Sequence, residues 1–166
     1  MTATRLPATL RPESVTVVID TREQTPLDLQ PLLTVTGTLA TGDYSVLGLE
    51  TVVAVERKSL PDLIGCVGRE RERFDREVQR LLAYPVRALI IEATWGDIEA
   101  GDWRGNVTPA QALGSVLGWI ASGLPVLMAG DHARAGRYAG RLLLTAARRR
   151  WIEARTLVGT VLGDET

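Results

Sequence analysis

The sequence predicts an α/β domain built on a central mixed β-sheet with helices on both faces. Three observations carry that prediction. Short β-branched or aliphatic runs recur between turn residues, at Val15 to Ile19, Ala88 to Glu92 and Pro125 to Met128. Two further runs, Tyr44 to Val46 and Thr51 to Glu56, flank Leu47-Gly48-Leu49-Glu50 as a hairpin would, which introduces antiparallel pairing. Beyond the hairpin, strand-like runs alternate with segments whose apolar residues have the spacing of one helix face. At 166 residues, with 45% apolar and 23% charged side chains, the chain has the size and composition of one domain with a proper core.

Taken in order, Val15 to Ile19 predicts a buried strand, and polar chemistry starts where it stops, in Asp20-Thr21-Arg22-Glu23 before the breaker Pro26. Gln30 to Leu39 mixes a connection with a second, weak strand. After the hairpin, Ser59 and Asp62 can supply cap oxygens to a helix starting at Leu60. Past Gly68, the residues Phe74, Val78, Leu81 and Leu82 share one helix face, ending near Tyr84-Pro85. Ala88 to Glu92 and Pro125 to Met128 predict two more buried strands. Between them, Thr108-Pro109-Ala110-Gln111 offers an N-cap, a first-turn proline and a capping-box glutamine. The helix that follows places Leu113, Val116, Leu117 and Ile120 inward and stops at Gly123. Asp131 caps a last helix with Tyr138, Leu142 and Leu143 inward; after about Arg155 periodicity fades, and the chain is expected to fray or extend. Trp95, Trp103, Trp119 and Trp151 read as packing residues rather than base-stacking platforms, because none lies near another aromatic in a basic stretch.

Composition removes several function classes. The apolar stretches are broken well before the roughly 18 residues of a membrane span, and Met1 to Ser14 lacks a signal-peptide apolar segment. The expected location is therefore cytoplasmic, with nucleoid association left open and no membrane partner. A single cysteine, Cys66, excludes an internal disulfide and a Cys-based zinc site, and a single histidine, His132, argues against a His-centred metal site or a Ser-His triad. The net charge is −1, so any nucleic-acid face must be a local concentration of arginine. Arg69-Glu70-Arg71-Glu72-Arg73 with Arg76 and Arg80 is one candidate; away from the hairpin motif it would read as a solvated helix face laced by i,i+4 pairs. Arg148-Arg149-Arg150 is the other, and reads first as a solvated helix end.

Chemistry centres on the hairpin. Lys58 is the one lysine among 19 cationic Lys and Arg side chains, so a compact, titratable ammonium is retained where arginine serves everywhere else. With the hairpin centred between Leu49 and Glu50, Asp43 lies opposite Glu56 and Val46 opposite Val53. Directly opposed Cβ atoms are about 4.5–5.5 Å apart, so one oxygen of each carboxylate can bind a single Mg²⁺ at about 2.0–2.1 Å. Two like charges that close repel, and a divalent cation is the natural compensation. Strand alternation puts Lys58 on the face of Glu56 and Arg57 on the other. A bound metal can lower the pKa of its water, and Lys58 can orient that water or stabilise charge on phosphoryl oxygens. The backbone carbonyl of Arg57 is a plausible further ligand, and Asp20 and Glu23 can add water-mediated ligands or fix the nucleophile. The pairing points to a metal-dependent nuclease.

In chain order, Ile19-Asp20-Thr21-Arg22-Glu23, Gly42-Asp43-Tyr44 and Glu56-Arg57-Lys58-Ser59 with Asp62 four residues past the lysine resemble the nuclease domain of the XPF family of structure-specific DNA endonucleases. The resemblance spans roughly residues 15 to 145. It implies the PD-(D/E)xK restriction-endonuclease-like fold and Mg²⁺- or Mn²⁺-dependent hydrolysis of phosphodiester bonds at branched or junction DNA, in repair or recombination. It implies Asp43 and Glu56 as metal ligands, Lys58 as the catalytic lysine, and Asp20, Glu23, Arg57 and Asp62 as supporting active-site residues. Relatives carry an arginine-bearing segment after the Glu-Arg-Lys helix; here Arg69 and Arg71 both fit it, and Arg69, Arg71 and Arg73 are the expected DNA-binding residues. The XPF-like domain is expected over 15–150, with 1–14 as an N-terminal extension and 151–166 as a C-terminal tail. The tandem helix-hairpin-helix domain and the helicase domain of some relatives find no counterpart in the sequence, which suggests a stand-alone module of the bacterial or phage kind.

The resemblance also implies a homodimer, for which the apolar faces at Leu113 to Ile120 and Leu142 to Leu144 are candidates, or a partner protein that supplies duplex grip. A second reading is a non-catalytic DNA-junction-binding or scaffold subunit of a nuclease complex; such partners usually lack the acidic residues that this chain keeps. A third, a site-specific restriction or mobile-element nuclease, differs in specificity rather than chemistry.

Overall fold

Strand β1 (Thr16–Asp20) is buried almost throughout, as its β-branched composition requires. On one side it pairs in parallel with the exposed edge strand β2 (Leu33–Gly37), and on the other it pairs antiparallel with β3 (Tyr44–Val46). The hairpin partner of β3 is β4 (Val53–Ser59), and β5 (Val86–Glu92) and β6 (Val126–Met128) continue the sheet in parallel. The order is β2-β1-β3-β4-β5-β6, a mixed six-stranded sheet. The computed structural model describes residues 7–163, so the first six residues of the expected extension and the last three of the expected tail lie outside the described residues.

Five helices cover the sheet. Helix α1 (Leu60–Val67) starts where Ser59 Oγ accepts the Asp62 N–H, as expected, and Gly68 separates it from α2 (Arg71–Leu82). Helix α3 (Trp95–Ala100) was not foreseen; a Thr94/Asp97 capping box starts it, the same device that starts α4 (Pro109–Ala121) at Thr108/Gln111. Helix α5 (His132–Leu162) is capped by Asp131 and runs 31 residues, about 46 Å at 1.5 Å per residue. Of the two outcomes expected after Arg155, extension is the one observed.

Strand alternation divides the interior into two cores. Val53, Val55 and Ile90 pack with Ala135, Ala139 and Leu143 of α5, whereas Ala54, Leu89 and Ile91 pack with Leu63, Phe74, Ile98, Val116 and Trp119 of α1 to α4. Two helix faces differ from expectation. In α4 the inward residues are Ala112, Ser115, Val116 and Trp119, while Leu117 and Ile120 are exposed. In α5 Leu143 points inward as expected, but Tyr138 is exposed and Ala135, Gly136 and Ala139 face the core. Close approach explains α5: a Cβ on Gly136 would lie 2.6 Å from the carbonyl oxygen of Asp28. Trp119 packs edge-on to Phe74, and Trp103 and Trp151 pin loops by donating to the carbonyls of Val107 and Pro7; only Trp95 stands largely clear of the core. Among the described residues no helix is long and apolar enough to cross a membrane.

Candidate active site

Tyr44 pairs with Val55, as a hairpin centred between Leu49 and Glu50 requires, and the Asp43 charge lies beside Glu56. Gly42 enters the hairpin at φ 80°, and a Cβ there would meet the Val55 carbonyl oxygen at 3.0 Å, so glycine suits this turn on two counts. Asp43 N–H donates to Val55 O at 2.8 Å, and Asp43 Oδ2 accepts the Arg57 N–H at 2.8 Å. That last bond aims the carboxylate along β4 toward Glu56. Glu56 is buried and ion-paired with Lys58, whose ammonium also lies 5.3 Å from the centre of the Phe74 ring. Asp43, Glu56 and Lys58 thus share one wall of a depression of about 600 Å³.

Arginines line the rim of this depression, but the charge close to Asp43 and Glu56 is under-compensated. Burial, with the Asp43 charge beside it, pushes the Glu56 carboxyl up to about 7 despite Lys58. Burial likewise raises Asp43, against the Arg57 N–H and the Lys58 charge. Lys58 is opposed by its own burial, yet its pKa rises because Glu56 and Asp43 face it. One ammonium therefore serves two carboxylates. Among the described residues no three His, Cys, Asp or Glu side chains form a ready-made metal cage. Two carboxylates do suit Mg²⁺ or Mn²⁺, because Mg²⁺ keeps several waters and takes one or two carboxylates rather than an all-protein shell.

The other expected residues divide between neighbouring positions. Arg57 and Glu23 also line the depression: Glu23 accepts from Arg57 Nε and Nη2 and Glu92 from its Nη1, each at 2.9 Å. Glu23 also accepts from the Thr25 N–H at 2.9 Å and the Tyr44 hydroxyl at 3.2 Å. Burial raises its pKa, but the Arg57 bonds prevail and hold it below the ordinary value. Asp20 does not line the depression. Its buried carboxylate is taken up by the Leu39 N–H at 2.7 Å, the Arg22 N–H at 2.9 Å and Arg22 Nε at 2.6 Å, which outweigh burial and keep its pKa low. Asp62 lines the rim and accepts from Ser59 Oγ at 2.6 Å. Arg73 lines the same depression, whereas Arg69 and Arg71 line a second one beyond α1.

Three contributors escaped sequence reasoning. Glu77 of α2 reaches the site and accepts the Gly42 N–H at 3.5 Å, near Arg80 of the expected arginine run, which lines the rim. Glu92 clamps Arg57 and lies 2.6 Å from Nδ1 of His132 at the start of α5. The usable signal was the i+3 spacing of Glu77 from Phe74, on the flank of the buried face of α2. For Glu92 and His132 no local signal existed, since 40 residues separate them.

The family model for the ERCC4 domain matches residues 19–139 of the chain. No curated protein sequence matches it. Among solved structures, the chain is similar to XPF from Aeropyrum pernix, with a TM-score of 0.64 at 19% identity, covering 89% of this chain and 72% of that one. XPF from Aeropyrum pernix in complex with DNA matches with a TM-score of 0.60 at 18% identity over 84% of this chain and 66% of that one. The six-stranded mixed sheet with its flanking helices is accordingly the restriction-endonuclease-like fold of the XPF nuclease. The match runs from the end of β1 into α5 and takes in both the hairpin and the Glu-Arg-Lys strand, so the chain belongs to the ERCC4 domain family of XPF-type nucleases.

Proposed function

We propose that this protein is a Mg²⁺- or Mn²⁺-dependent endonuclease that hydrolyses phosphodiester bonds in branched or junction DNA, acting in repair or recombination. The observation that carries the reading is the trio of Asp43, Glu56 and Lys58 in one depression, with a buried Glu56 and a half-buried Asp43 whose pKa values are raised. A phosphodiester is an anion, and the two carboxylates of Asp43 and Glu56 accept it beside them only when a cation is added. Asp43 and Glu56 would hold that cation. When bound it would supply Lewis acidity toward a phosphoryl oxygen and lower the pKa of an attacking water.

The chain's own groups do the rest. Lys58 orients the water and faces charge that develops on the phosphoryl oxygens. The Arg57 N–H holds Asp43 in place, while the Arg57 side chain, clamped by Glu23 and Glu92, keeps β4 in its register. Asp62 and Arg73 line the approach. The DNA complex of the similar Aeropyrum pernix protein supports DNA as substrate, and retention of the full acidic set favours an active subunit over a scaffold. The test is nicking of labelled flap, fork and four-way junction DNA with Mg²⁺ or Mn²⁺. Asp43→Asn and Lys58→Ala are expected to abolish it, and cleavage undiminished in both variants would refute the reading.

A further inference from the structure

The arginine run Arg148-Arg149-Arg150 and the part of α5 past Arg155 take no part in the chemistry described above. They lie at the other end of the sheet from it. A depression of about 330 Å³ there is lined by Val46 and Leu47, where β3 runs into the hairpin turn, and by Ala147, Trp151 and Ala154 of α5. Asp43, by contrast, precedes the first residue of β3. We infer that this end of the molecule docks an amphipathic helix of a partner protein, one whose apolar seam is flanked by acidic side chains.

The seam is written in α5. Ala147, Trp151, Ala154, Val158 and Val161 recur at steps of four, three, four and three residues, the spacing by which one helix packs along another. Leu157 and Leu162 stand beside Val158 and Val161 and widen the stripe. Ala147 is the last buried residue of the helix. The remaining 15 residues, 148 to 162, run on for about 22 Å with no side chain buried. Leu157, Val158, Val161 and Leu162 are 43–73% exposed, and Leu47 on the facing wall is 56% exposed, so the apolar surface continues out of the depression along the helix. The walls are fixed in advance: Trp151 Nε1 donates to Pro7 O and Arg155 Nη1 to Ala8 O, each at 2.9 Å, which ties the segment before β1 to α5. A Cβ on Gly48 would meet nothing within 4 Å, so the mouth beside the turn is open.

Charge selects the occupant. Arg148, Arg150 and Arg155 hold positions flanking the seam, and no carboxylate does. Arg150 pairs with the outward Glu153 at 2.8 Å. Arg148 and Arg155 donate to the carbonyls of Leu10 and Ala8, which leaves their charge uncancelled. A second copy of this stripe would set arginine against arginine in either helix direction, a repulsion that disfavours self-pairing. Glutamate or aspartate at the same positions of a partner helix would be attracted. DNA could satisfy the guanidiniums but would leave the apolar stripe in water.

The probe is a fluorescein-labelled, three-heptad helical peptide with leucine at every seam position and glutamate at every flanking one. Anisotropy gives its Kd, and the Trp151 indole N–H resonance reports contact at the depression. Saturable binding with a shift of that resonance is expected. Lysine in place of the glutamates, or serine in place of the leucines, should weaken binding by at least about tenfold. Val158→Glu, at an exposed position, should weaken it by a similar factor with melting temperature and DNA cleavage unchanged. Arg150→Glu should weaken the glutamate peptide and strengthen the lysine peptide, a reversal that misfolding does not produce. Arg137→Glu, more than three turns back along α5, is expected to stay within twofold. Lys58→Ala should bind the peptide as the parent does, so this site and the nuclease reading can fail separately. No saturable binding up to about 1 mM would overturn the inference, as would equal binding of the glutamate and lysine peptides. Displacement of the peptide by a short duplex would assign the arginines to phosphates instead. A parent dimer in sedimentation that Val158→Glu turns into a monomer would assign the stripe to a second copy, and either result would overturn the inference too.

Discussion

Two clusters of charge meet at β4, and they are compensated differently. On the α5 side, Arg57 lies between Glu23 and Glu92, with His132 against Glu92 and Tyr44 against Glu23. Nearly every lone pair there has a donor. On the α1–α2 side, Lys58 pairs with Glu56, and Asp43 has no ion pair among the described residues. The contrast separates architecture from chemistry within one strand: the paired cluster holds geometry, and the under-compensated one has room for a metal and a substrate.

The largest expected difference is between activity and stability on the under-compensated side. Lys58→Ala, Asp43→Asn and Glu56→Gln should each cut single-turnover cleavage by about 10²–10³-fold or more. Asp43→Asn and Glu56→Gln should nonetheless leave the metal-free protein as stable as the parent in urea, because each removes a like-charge repulsion. Marked destabilisation by both would mean that these carboxylates belong to the architecture instead.

Next in size is the loss on the paired side. Arg57→Ala strands two buried carboxylates, and urea unfolding should show about 3–5 kcal/mol of lost stability. A change under 1 kcal/mol would break the contrast.

Metal binding should act on one cluster alone. Mn²⁺ at about 100 times its Kd stabilises by roughly 2.7 kcal/mol, so the parent should gain several degrees of melting temperature and Glu56→Gln much less. Glu92→Gln should keep the full gain. The sign with pH follows from Glu56: its carboxyl titrates near 4.5 when unfolded and at about 7 when folded, so the folded state takes up the proton and metal-free stability declines as pH rises between those values. The Mn²⁺ gain should therefore be larger at pH 7.5 than at pH 5.5, and a pH-independent gain would count against Glu56 as a ligand.

The smallest effect is on the acid side. Glu23 is held below its ordinary value of 4.5, so its contribution is complete above that pH and is lost as pH falls through the folded value. A Glu23→Gln variant should show a flatter melting profile between pH 5 and 3 than the parent. An unchanged profile would detach Glu23 from the clamp.

What could be read from the chain in advance follows the reach of local rules. A period of two put Glu56 and Lys58 on one side and Arg57 on the other, and the hairpin centre set Tyr44 against Val55, which brings the Asp43 charge beside Glu56. The caps at Ser59, Thr108 and Asp131 likewise depend on neighbours three residues away. Glu77, Glu92 and His132 depend on how helices cross a folded sheet, which no window of sequence contains. The rotated faces of α4 and α5 fail for a related reason. Bulk marks Leu117, Ile120 and Tyr138 as core, but where a helix approaches closely, as α5 does at Asp28, alanine and glycine take the inner positions.

The alternation in β4 has a consequence for how this protein can vary. Losing or gaining one residue between the hairpin turn and Ser59 would rotate every later side chain by half a turn, sending the ammonium toward α5 and the guanidinium toward the DNA side. A change of two residues would keep the sidedness and shift only the depth. Drift in this segment is therefore closed to odd-numbered insertions and deletions as well as to replacement of Glu56, Arg57 and Lys58.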